Sequence, residues 1–349
     1  MSLMNKLKKT STVKSSQVVS ESDHFRTKDL VTTPVPALNV ALSGSLDGGI
    51  SCGLTVLAGP SKMYKSNMSL VLAKAYMDKY PESVCLLYDT EFGITTQYLE
   101  NFDIDTDRVL HTPIEHVEQL KFDIIRQLDS MEKGDRVFIL IDSVGNLASK
   151  KELEDALDEK SVADMTRAKA LKGLFRMVTP YLNTKDIPLL CVNHTYKEIG
   201  MYPKDIMSGG TGIYYSANQV FFIGRRQLKD GADVSGYEFI IKVEKSRFVK
   251  ENSKIPITVT FSGGLDKYSG LFDMAVAGGF INSPTKGFYQ VMDLETGEMK
   301  EKRIRKTDIT KTGYFDDLLQ YDPFKDFVKS IYVLDSGTKI EVVPEEEIE

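Results

Sequence analysis

A short glycine-led loop that ends in lysine and serine is the stretch of this sequence best suited to chemistry. It reads Gly59-Pro60-Ser61-Lys62-Met63-Tyr64-Lys65-Ser66, follows an apolar run and precedes a helical pattern that begins at Asn67. This arrangement is typical of a phosphate-binding loop (P-loop), whose backbone N–H groups face phosphates at the start of a helix. Lys65 would reach the β- and γ-phosphates of a nucleotide, and the Ser66 hydroxyl would bind Mg²⁺. Tyr64 departs from the pattern because glycine is usual there, and the alternative is an ordinary strand–loop–helix with a solvated lysine.

Polar side chains also follow three other apolar, strand-like runs. They are Glu91 after residues 84–88, Asp142 and Ser143 after residues 137–141, and Asn193 and His194 after residues 189–192. The carboxyl ends of parallel strands lie at one edge of a sheet, where ligands bind. We therefore expect these side chains to meet the P-loop at that edge.

Three of these side chains could act on a bound nucleotide. Asp142 could hold Mg²⁺ directly or through water, and Glu91 could activate a water molecule. His194 precedes a long segment that ends in glycines, so it could sense the γ-phosphate and pass the nucleotide state to that segment. Taken alone, the residues leave open that Asp142 caps a buried strand and that His194 is a hydrogen-bonded strand-end residue.

The elements that must position these groups alternate between strand and helix, which predicts an α/β fold with a mainly parallel, twisted sheet. Helices are predicted over residues 114–131 and 165–182, and an antiparallel edge over residues 220–261. The charged residues 150–164 are predicted to be a mobile loop or loose helix. Residues 195–212 show no periodicity and are predicted to be a long loop, a feature that is usually functional or disordered.

The two ends of the chain differ in character from its middle. Residues 1–20 are rich in Ser, Thr and Lys and are predicted to be mobile until packed. After residue 265 a short helix (271–277), a hairpin near Gly287 and Gly297 and a helix (323–332) suggest a small C-terminal α/β domain with an acidic tail. The predicted domains are residues 1–30, 31–265 and 266–349.

Composition narrows the class of protein. The 349 residues carry a formal net charge of −6, so any contact with nucleic acid must come from local clusters. The isolated Cys52, Cys85 and Cys191 indicate reduced thiols in a cytoplasmic protein, and the four histidines are too scattered for a zinc cluster. No apolar run approaches the ~20 residues that span a bilayer, and no signal peptide is apparent.

In order and spacing the motifs resemble those of the RecA/RadA strand-exchange recombinases, and among them the UvsX-type recombinases of tailed bacteriophages. The matching stretches include Gly59–Ser66, Tyr88–Thr95, Leu140–Ser143, Gly145–Lys151, Asn193-His194 and Gly209–Gly212. In the UvsX type an aromatic residue replaces the P-loop glycine, as Tyr64 does here. The resemblance is strong over residues 28–280 and weak at both ends of the chain.

The resemblance implies a RecA-like P-loop ATPase core that uses ATP and Mg²⁺. Lys65, Glu91 and His194 would be its catalytic residues, and Ser66 and Asp142 would serve the metal. Tyr98 would stack on adenine beside Thr95, which replaces the usual Asp. The other nucleotide-binding residues would be Gly59 through Asn67, Asp142 and, reaching across a subunit interface, Lys245 and Arg247.

The same resemblance implies two DNA-binding loops, residues 150–164 and 195–212. Ile199 falls where the family wedges an aliphatic side chain between base triplets. The other DNA-binding candidates are Gly209, Gly210 and Thr211 in the second loop and the cations Lys172 and Arg176.

The implied function is ATP-dependent DNA strand exchange for recombination, repair and recombination-dependent replication in the cytoplasm of an infected bacterium. The chain would form a head-to-tail helical filament on single-stranded DNA, with residues 1–30 as a filament contact, and would pair that strand with homologous duplex DNA. A phage single-strand-binding protein and a recombination mediator would be partners, and no membrane would be involved.

Three alternatives share some of these features. A hexameric helicase has the same core, although residues 1–30 are too short for its N-terminal domain. A RadA-like or KaiC-like ATPase would act on protein partners, and its activity would not depend on DNA. A non-enzymatic single-strand-binding protein with a degenerate P-loop is supported only by Tyr64.

Overall fold

The computed structural model describes residues 2–13, 15–22, 29–158, 165–198, 200–201 and 203–334. Its strands are β1 (Gly53–Ala58), β2 (Val84–Asp89), β3 (Val109–Pro113), β4 (Val137–Asp142), β5 (Pro188–Asn193), β6 (Thr195–Lys197), β7 (Asp205–Met207), β8 (Gln219–Asp230), β9 (Asp233–Lys245), β10 (Lys254–Thr260), β11 (Gly264–Leu265), β12 (Ile281–Thr285) and β13 (Phe288–Val291).

The helices are α1 (Leu3–Thr10), α2 (Pro36–Ser43), α3 (Lys65–Lys79), α4 (Thr96–Glu100), α5 (Val117–Ser130), α6 (Lys150–Leu157), α7 (Thr166–Lys185), α8 (Gly212–Ser216), α9 (Leu271–Ala277), α10 (Lys306–Lys311), α11 (Tyr314–Gln320) and α12 (Asp322–Tyr332).

A nine-stranded sheet in the order β11-β10-β9-β8-β1-β5-β4-β2-β3 organises the molecule. Neighbouring strands from β8 through β1 to β3 are parallel, whereas β8 through β11 pair antiparallel. The predicted mainly parallel α/β fold and its antiparallel edge are therefore confirmed. Because β1, β2, β4 and β5 are adjacent, their carboxyl ends lie side by side.

Helices cover both faces of the sheet, which explains why its central strands are apolar throughout. One core lies between the sheet and α2 and α3, and the other lies between the sheet and α5 and α7. Helix α5 shows how the sequence sets this packing, because Val117, Leu120, Ile124 and Leu128 recur at helical spacing and are buried.

The C-terminal elements α9 to α12 and the β12–β13 hairpin share the first of these cores. Leu271, Phe280, Phe315 and Phe324 are buried in it. The predicted helices at 271–277 and 323–332 and the hairpin near Gly287 are present. Helices α10 and α11 were not predicted.

One local expectation was wrong, that of a long loop over residues 195–212, and the structure adds detail to two others. Residues 195–212 do not form an unstructured loop, because β6 and β7 pair as a hairpin in the register Thr195↔Met207. Residues 1–20 contain α1, which Ser2 caps and whose described residues are all unburied. Within 150–164, residues 150–157 form the well-capped helix α6, in which Ser149 and Glu152 make a capping box; residues 159–164 lie outside the described residues.

No helix in the described part of the chain is long and apolar enough to cross a membrane.

Candidate functional site

The P-loop connects β1 to α3 and has an unusual backbone. Lys62 and Tyr64 both have left-handed conformations, with φ of 61° and 60°. Such a conformation costs a residue with a Cβ about 1–2 kcal/mol. The Tyr64 ring stacks on Phe239 of β9, with centroids 5.1 Å apart and an interplanar angle of 22°. An aromatic pair of this kind offsets about 0.5–1.5 kcal/mol, so Tyr64 can take the usual glycine position.

Lys65 starts α3 and is buried at the base of the loop. Its Nζ donates to the carbonyl oxygens of Gly59 (3.0 Å) and Pro60 (2.7 Å). Burial lowers the pKa of Lys65, and the carboxylates of Asp142 and Glu91 partly oppose that shift. The lysine is therefore held in place by its own loop and faced by two acidic groups.

Most of the predicted nucleotide-binding residues line one cleft of about 160 Å³. Its lining comprises Ser61, Lys62, Met63, Tyr64, Lys65, Ser66, Asn67, Glu91, Tyr98, Asp142, Val192 and His194. Gly59 and Pro60 instead line a groove on the side of the loop that faces β8 and the β6–β7 hairpin. The strand-end groups therefore meet the P-loop, as their placement in the sequence predicted.

Asp142 has the properties of a metal-binding carboxylate. It is buried, one oxygen accepts a hydrogen bond from Ser66, and Oδ1 has no hydrogen-bond partner among the described residues. Burial raises its pKa to about 6, with Glu91 and Asp89 adding repulsion. A buried acceptor without a donor, beside a serine hydroxyl, fits a hard cation such as Mg²⁺. Ser66 and Asp142 thus lie together with groups suited to Mg²⁺, and their metal-binding role stays a prediction.

Glu91 is held by two side chains from neighbouring strand ends. Its Oε1 accepts from Ser143 Oγ (2.6 Å) and lies 2.9 Å from His194 Nε2. Burial alone would raise the pKa of Glu91, but these hydrogen bonds outweigh it and the pKa lies below its ordinary value. The carboxylate is therefore ionised at neutral pH and fixed in orientation.

The loop that carries Glu91 is organised by Asp89, which sequence reasoning did not single out. Asp89 Oδ1 accepts from the backbone N–H groups of Glu91 (3.0 Å) and Phe92 (2.8 Å), and Oδ2 lies 3.2 Å from His111 Nε2. The only signal in the sequence was a polar residue at the end of β2.

Tyr98 lies on α4 and lines the cleft. Its hydroxyl donates to Asn67 Oδ1 at 2.8 Å, which joins α4 to α3. Thr95 caps α4 by accepting from the Tyr98 N–H. The ring is thus oriented by contacts at both ends, and its stacking on adenine stays a prediction.

Lys245 and Arg247 do not line the cleft of their own chain. Lys245 Nζ donates to the carbonyl oxygen of Tyr214 at 2.8 Å and lies over that ring, and Arg247 is exposed. The placement of both cations away from the cleft agrees with the expectation that they serve a neighbouring subunit, which remains a prediction.

The predicted DNA-binding residues that the structure describes cluster around α7 and α8. Lys172 and Arg176 are exposed on α7, and α8 begins so close to α7 that a Cβ on Gly212 would lie 2.6 Å from Lys172 Cβ. Gly209 and Gly210 have φ of 87° and 79°, which glycine adopts readily, and Thr211 is the N-cap residue of α8. Ile199 lies outside the described residues.

Family models divide the chain between them. Residues 4–266 match the RecA N-terminal domain, and residues 268–328 match the C-terminal domain of the bacteriophage T4 recombination and repair protein. The "Recombination and repair protein" of Enterobacteria phage T4 is 51% identical over 348 residues, which cover 99% of this chain and 89% of that protein.

Bacterial relatives are more distant. "Protein RecA" of Streptomyces rimosus is 27% identical to this chain, in an alignment that covers 78% of this chain and 71% of that protein. "Protein RecA" of Cutibacterium acnes is 25% identical, in an alignment that covers 78% of this chain and 77% of that protein. The chain belongs to the RecA family and is a RecA-like recombinase. The predicted likeness to the UvsX type of bacteriophage recombinase is confirmed, and the helicase and protein-remodelling alternatives are not favoured.

Proposed function

We propose that this protein is a DNA-dependent ATPase that uses ATP and Mg²⁺ to form a helical filament on single-stranded DNA and to exchange strands with homologous duplex DNA. The observation that carries the proposal is the convergence of Lys65, Asp142, Glu91 and His194 in one cleft beside the P-loop. The membership of the RecA family supports the reaction type.

Each residue has a distinct role in this proposal. Lys65 exchanges its contacts with the loop carbonyls for phosphate oxygens, and Ser66 and Asp142 hold the metal, which supplies charge neutralisation on the phosphates. Glu91, fixed by Ser143 and His194, orients the attacking water. Because the pKa of Glu91 lies below its ordinary value, the carboxylate is ionised and can also accept the proton of that water.

The DNA-binding face in this proposal comprises α7, the start of α8 and the two segments 150–164 and 195–212. Lys172 and Arg176 contact phosphates, and the N–H groups of Gly209, Gly210 and Thr211 contact the DNA backbone. Ile199 keeps its proposed role between bases. The proposed domains keep the limits predicted from the sequence. Residues 1–30 form a filament contact, residues 31–265 form the ATPase core, and residues 266–349 form a small C-terminal domain with an acidic tail.

Filament growth in the proposal is head-to-tail, with Lys245 and Arg247 completing the neighbour's ATP site. The helix α1 supports a contact role for residues 1–30, because its Leu3, Met4 and Leu7 are exposed. The proposed partners are DNA, a phage single-strand-binding protein and a recombination mediator, and the proposed location is the cytoplasm of an infected bacterium.

The test is ATP turnover with and without single-stranded DNA. We expect DNA to stimulate the wild type, and Glu91→Gln to lose about 10²–10⁴-fold of turnover because its amide cannot take a proton. That variant should keep ATP-dependent DNA binding, measured in parallel. Glu100→Gln, an exposed change on α4, is the matched control and should turn over ATP normally. An ATP turnover rate that single-stranded DNA does not change would contradict the recombinase proposal. A normal turnover rate in Glu91→Gln would contradict the catalytic assignment.

A further inference from the structure

Arg167, at the start of α7, connects that helix to two other parts of the chain, the loop after β4 and the residue after β7. Its Nε donates to Leu147 O (2.7 Å), and its Nη2 contacts Val144 O (2.9 Å), Gly145 O (2.6 Å) and Ser208 Oγ (3.1 Å). These acceptors are uncharged, so the half-buried guanidinium acts as a multidentate donor that a lysine could not replace.

Ser208 is the far end of this link and lies at the base of the β6–β7 hairpin. Its Oγ donates to Gly145 O at 3.0 Å, so it shares that acceptor with Arg167. Its backbone N–H donates to His194 O at 2.9 Å, and its carbonyl oxygen accepts from Asn193 Nδ2 at 3.0 Å. Gly209 follows immediately in the chain.

Gly145 connects the same cluster to the nucleotide cleft. A Cβ at that position would lie 2.1 Å from His194 Cδ2, so the imidazole packs directly on the Gly145 backbone. The same imidazole contacts Glu91 through Nε2. His194, Gly145, Arg167 and Ser208 therefore form a closed ring of contacts between the cleft and the hairpin.

We propose that Arg167 is a positioning residue that couples the nucleotide cleft to the DNA-binding segment 195–212. This inference rests on the proposed function and adds to it the part that transmits the nucleotide state. A shift of His194 on nucleotide binding moves the Gly145 backbone, and the guanidinium shared by Gly145 and Ser208 carries that shift to the residue before Gly209 and Gly210. Nucleotide state then changes affinity for DNA by favouring one arrangement of the segment.

The measurement is affinity for single-stranded DNA with a non-hydrolysable ATP analogue and with ADP, at one salt concentration because phosphate contacts are salt-sensitive. The ratio of the two affinities reports the coupling. Allosteric couplings are on the order of 5–150-fold, so we expect Arg167→Gln and Ser208→Ala each to lower the wild-type ratio by about fivefold or more. Affinity for the ATP analogue should stay close to that of the wild type.

A double variant separates a direct link from two independent effects. If Arg167 acts through Ser208, the double variant should have the same ratio as the more affected single variant. Ser208→Ala removes few atoms and tests the link even if Arg167→Gln fails to fold. Lys169→Gln is the charge-matched control on the same helix; it should leave the ratio unchanged even where it weakens DNA binding in both nucleotide states.

A wild-type ratio retained by both single variants would overturn the role of Arg167 and leave the proposed function standing. Losses that multiply in the double variant, or a ratio lowered equally by Lys169→Gln, would also overturn it. A wild-type ratio of one would overturn this inference together with the ATP-dependent DNA binding of the proposed function.

Discussion

Replacing Asp142 with asparagine is expected to stabilise the metal-free protein while removing its Mg²⁺-dependent activity. Asp142 is buried, and its Oδ1 lacks a partner among the described residues, so its charge is poorly compensated without a cation. Asparagine has nearly the same shape and can still accept the hydrogen bond from Ser66. The substitution therefore removes a buried negative charge and little packing.

The expected gain in the free energy of unfolding follows from the pKa of Asp142, which burial raises from 3.8 to about 6. A difference of roughly two units, at about 1.36 kcal/mol each, corresponds to about 3 kcal/mol of destabilisation by the ionised carboxylate. The sign is set by the raised pKa: the penalty is absent below pH 3.8, grows as pH rises, and is complete above about pH 6. At pH 5 roughly half of it should be present.

Thermal unfolding in a chelator, from pH 5 to pH 8, checks this expectation. Asp142→Asn should raise Tm at pH 8 on the order of 5 °C and by less at pH 5. Adding ATP and Mg²⁺ should raise the Tm of the wild type more than that of the variant, because ligands stabilise the state that binds them. Asp230→Asn, an exposed change in the β8–β9 hairpin, is the matched control. A variant less stable than the wild type at pH 8, or equally stabilised at both pH values, would refute the reasoning.

Two further predictions concern assembly and sensing. Replacing both Lys245 and Arg247 with Ala should leave a folded protein that lacks DNA-stimulated turnover, and mixing it with Lys65→Ala should restore some activity at hybrid interfaces; no recovery in filaments shown to be mixed would count against a shared site. His194→Ala removes the ring that contacts Glu91 and packs on Gly145, so ATP binding should persist while ATP and ADP come to support similar affinity for single-stranded DNA. If that variant kept the wild-type affinity ratio, His194 would be structural and Asn193 the next candidate.

The cleft could be predicted because its chemistry depends on local sequence and on one property of parallel sheets. Glu91, Asp142 and His194 each follow a run of apolar residues, and adjacent parallel strands bring such ends together. The P-loop needed only the strand before it and the helix after it. For these residues, position along the chain was enough to infer position in space.

Other features could not be predicted because their causes are distant or weak in the sequence. Strands β6 and β7 are three residues each, too short for alternation to show. Helix α1 buries none of its described residues. Its apolar residues are therefore not spaced to face a core, and that spacing is the pattern from which a helix is predicted. The position of Arg167 depends on backbone carbonyls after β4 and a hydroxyl after β7, and no pattern on α7 itself indicates those acceptors.

Because Tyr64 stacks on Phe239, the effect of a substitution at one of these positions depends on the residue at the other. Tyr64 tolerates its left-handed backbone because Phe239 lies against its ring. Exchanging Tyr64 for glycine alone relieves the backbone but leaves one face of Phe239 without a neighbour, and shortening Phe239 alone leaves the strain without compensation. Residues in contact have interaction energies that single changes do not reveal. A lineage that carries this aromatic P-loop can therefore return to glycine readily only by changing both positions, and the two sites should vary together among its descendants.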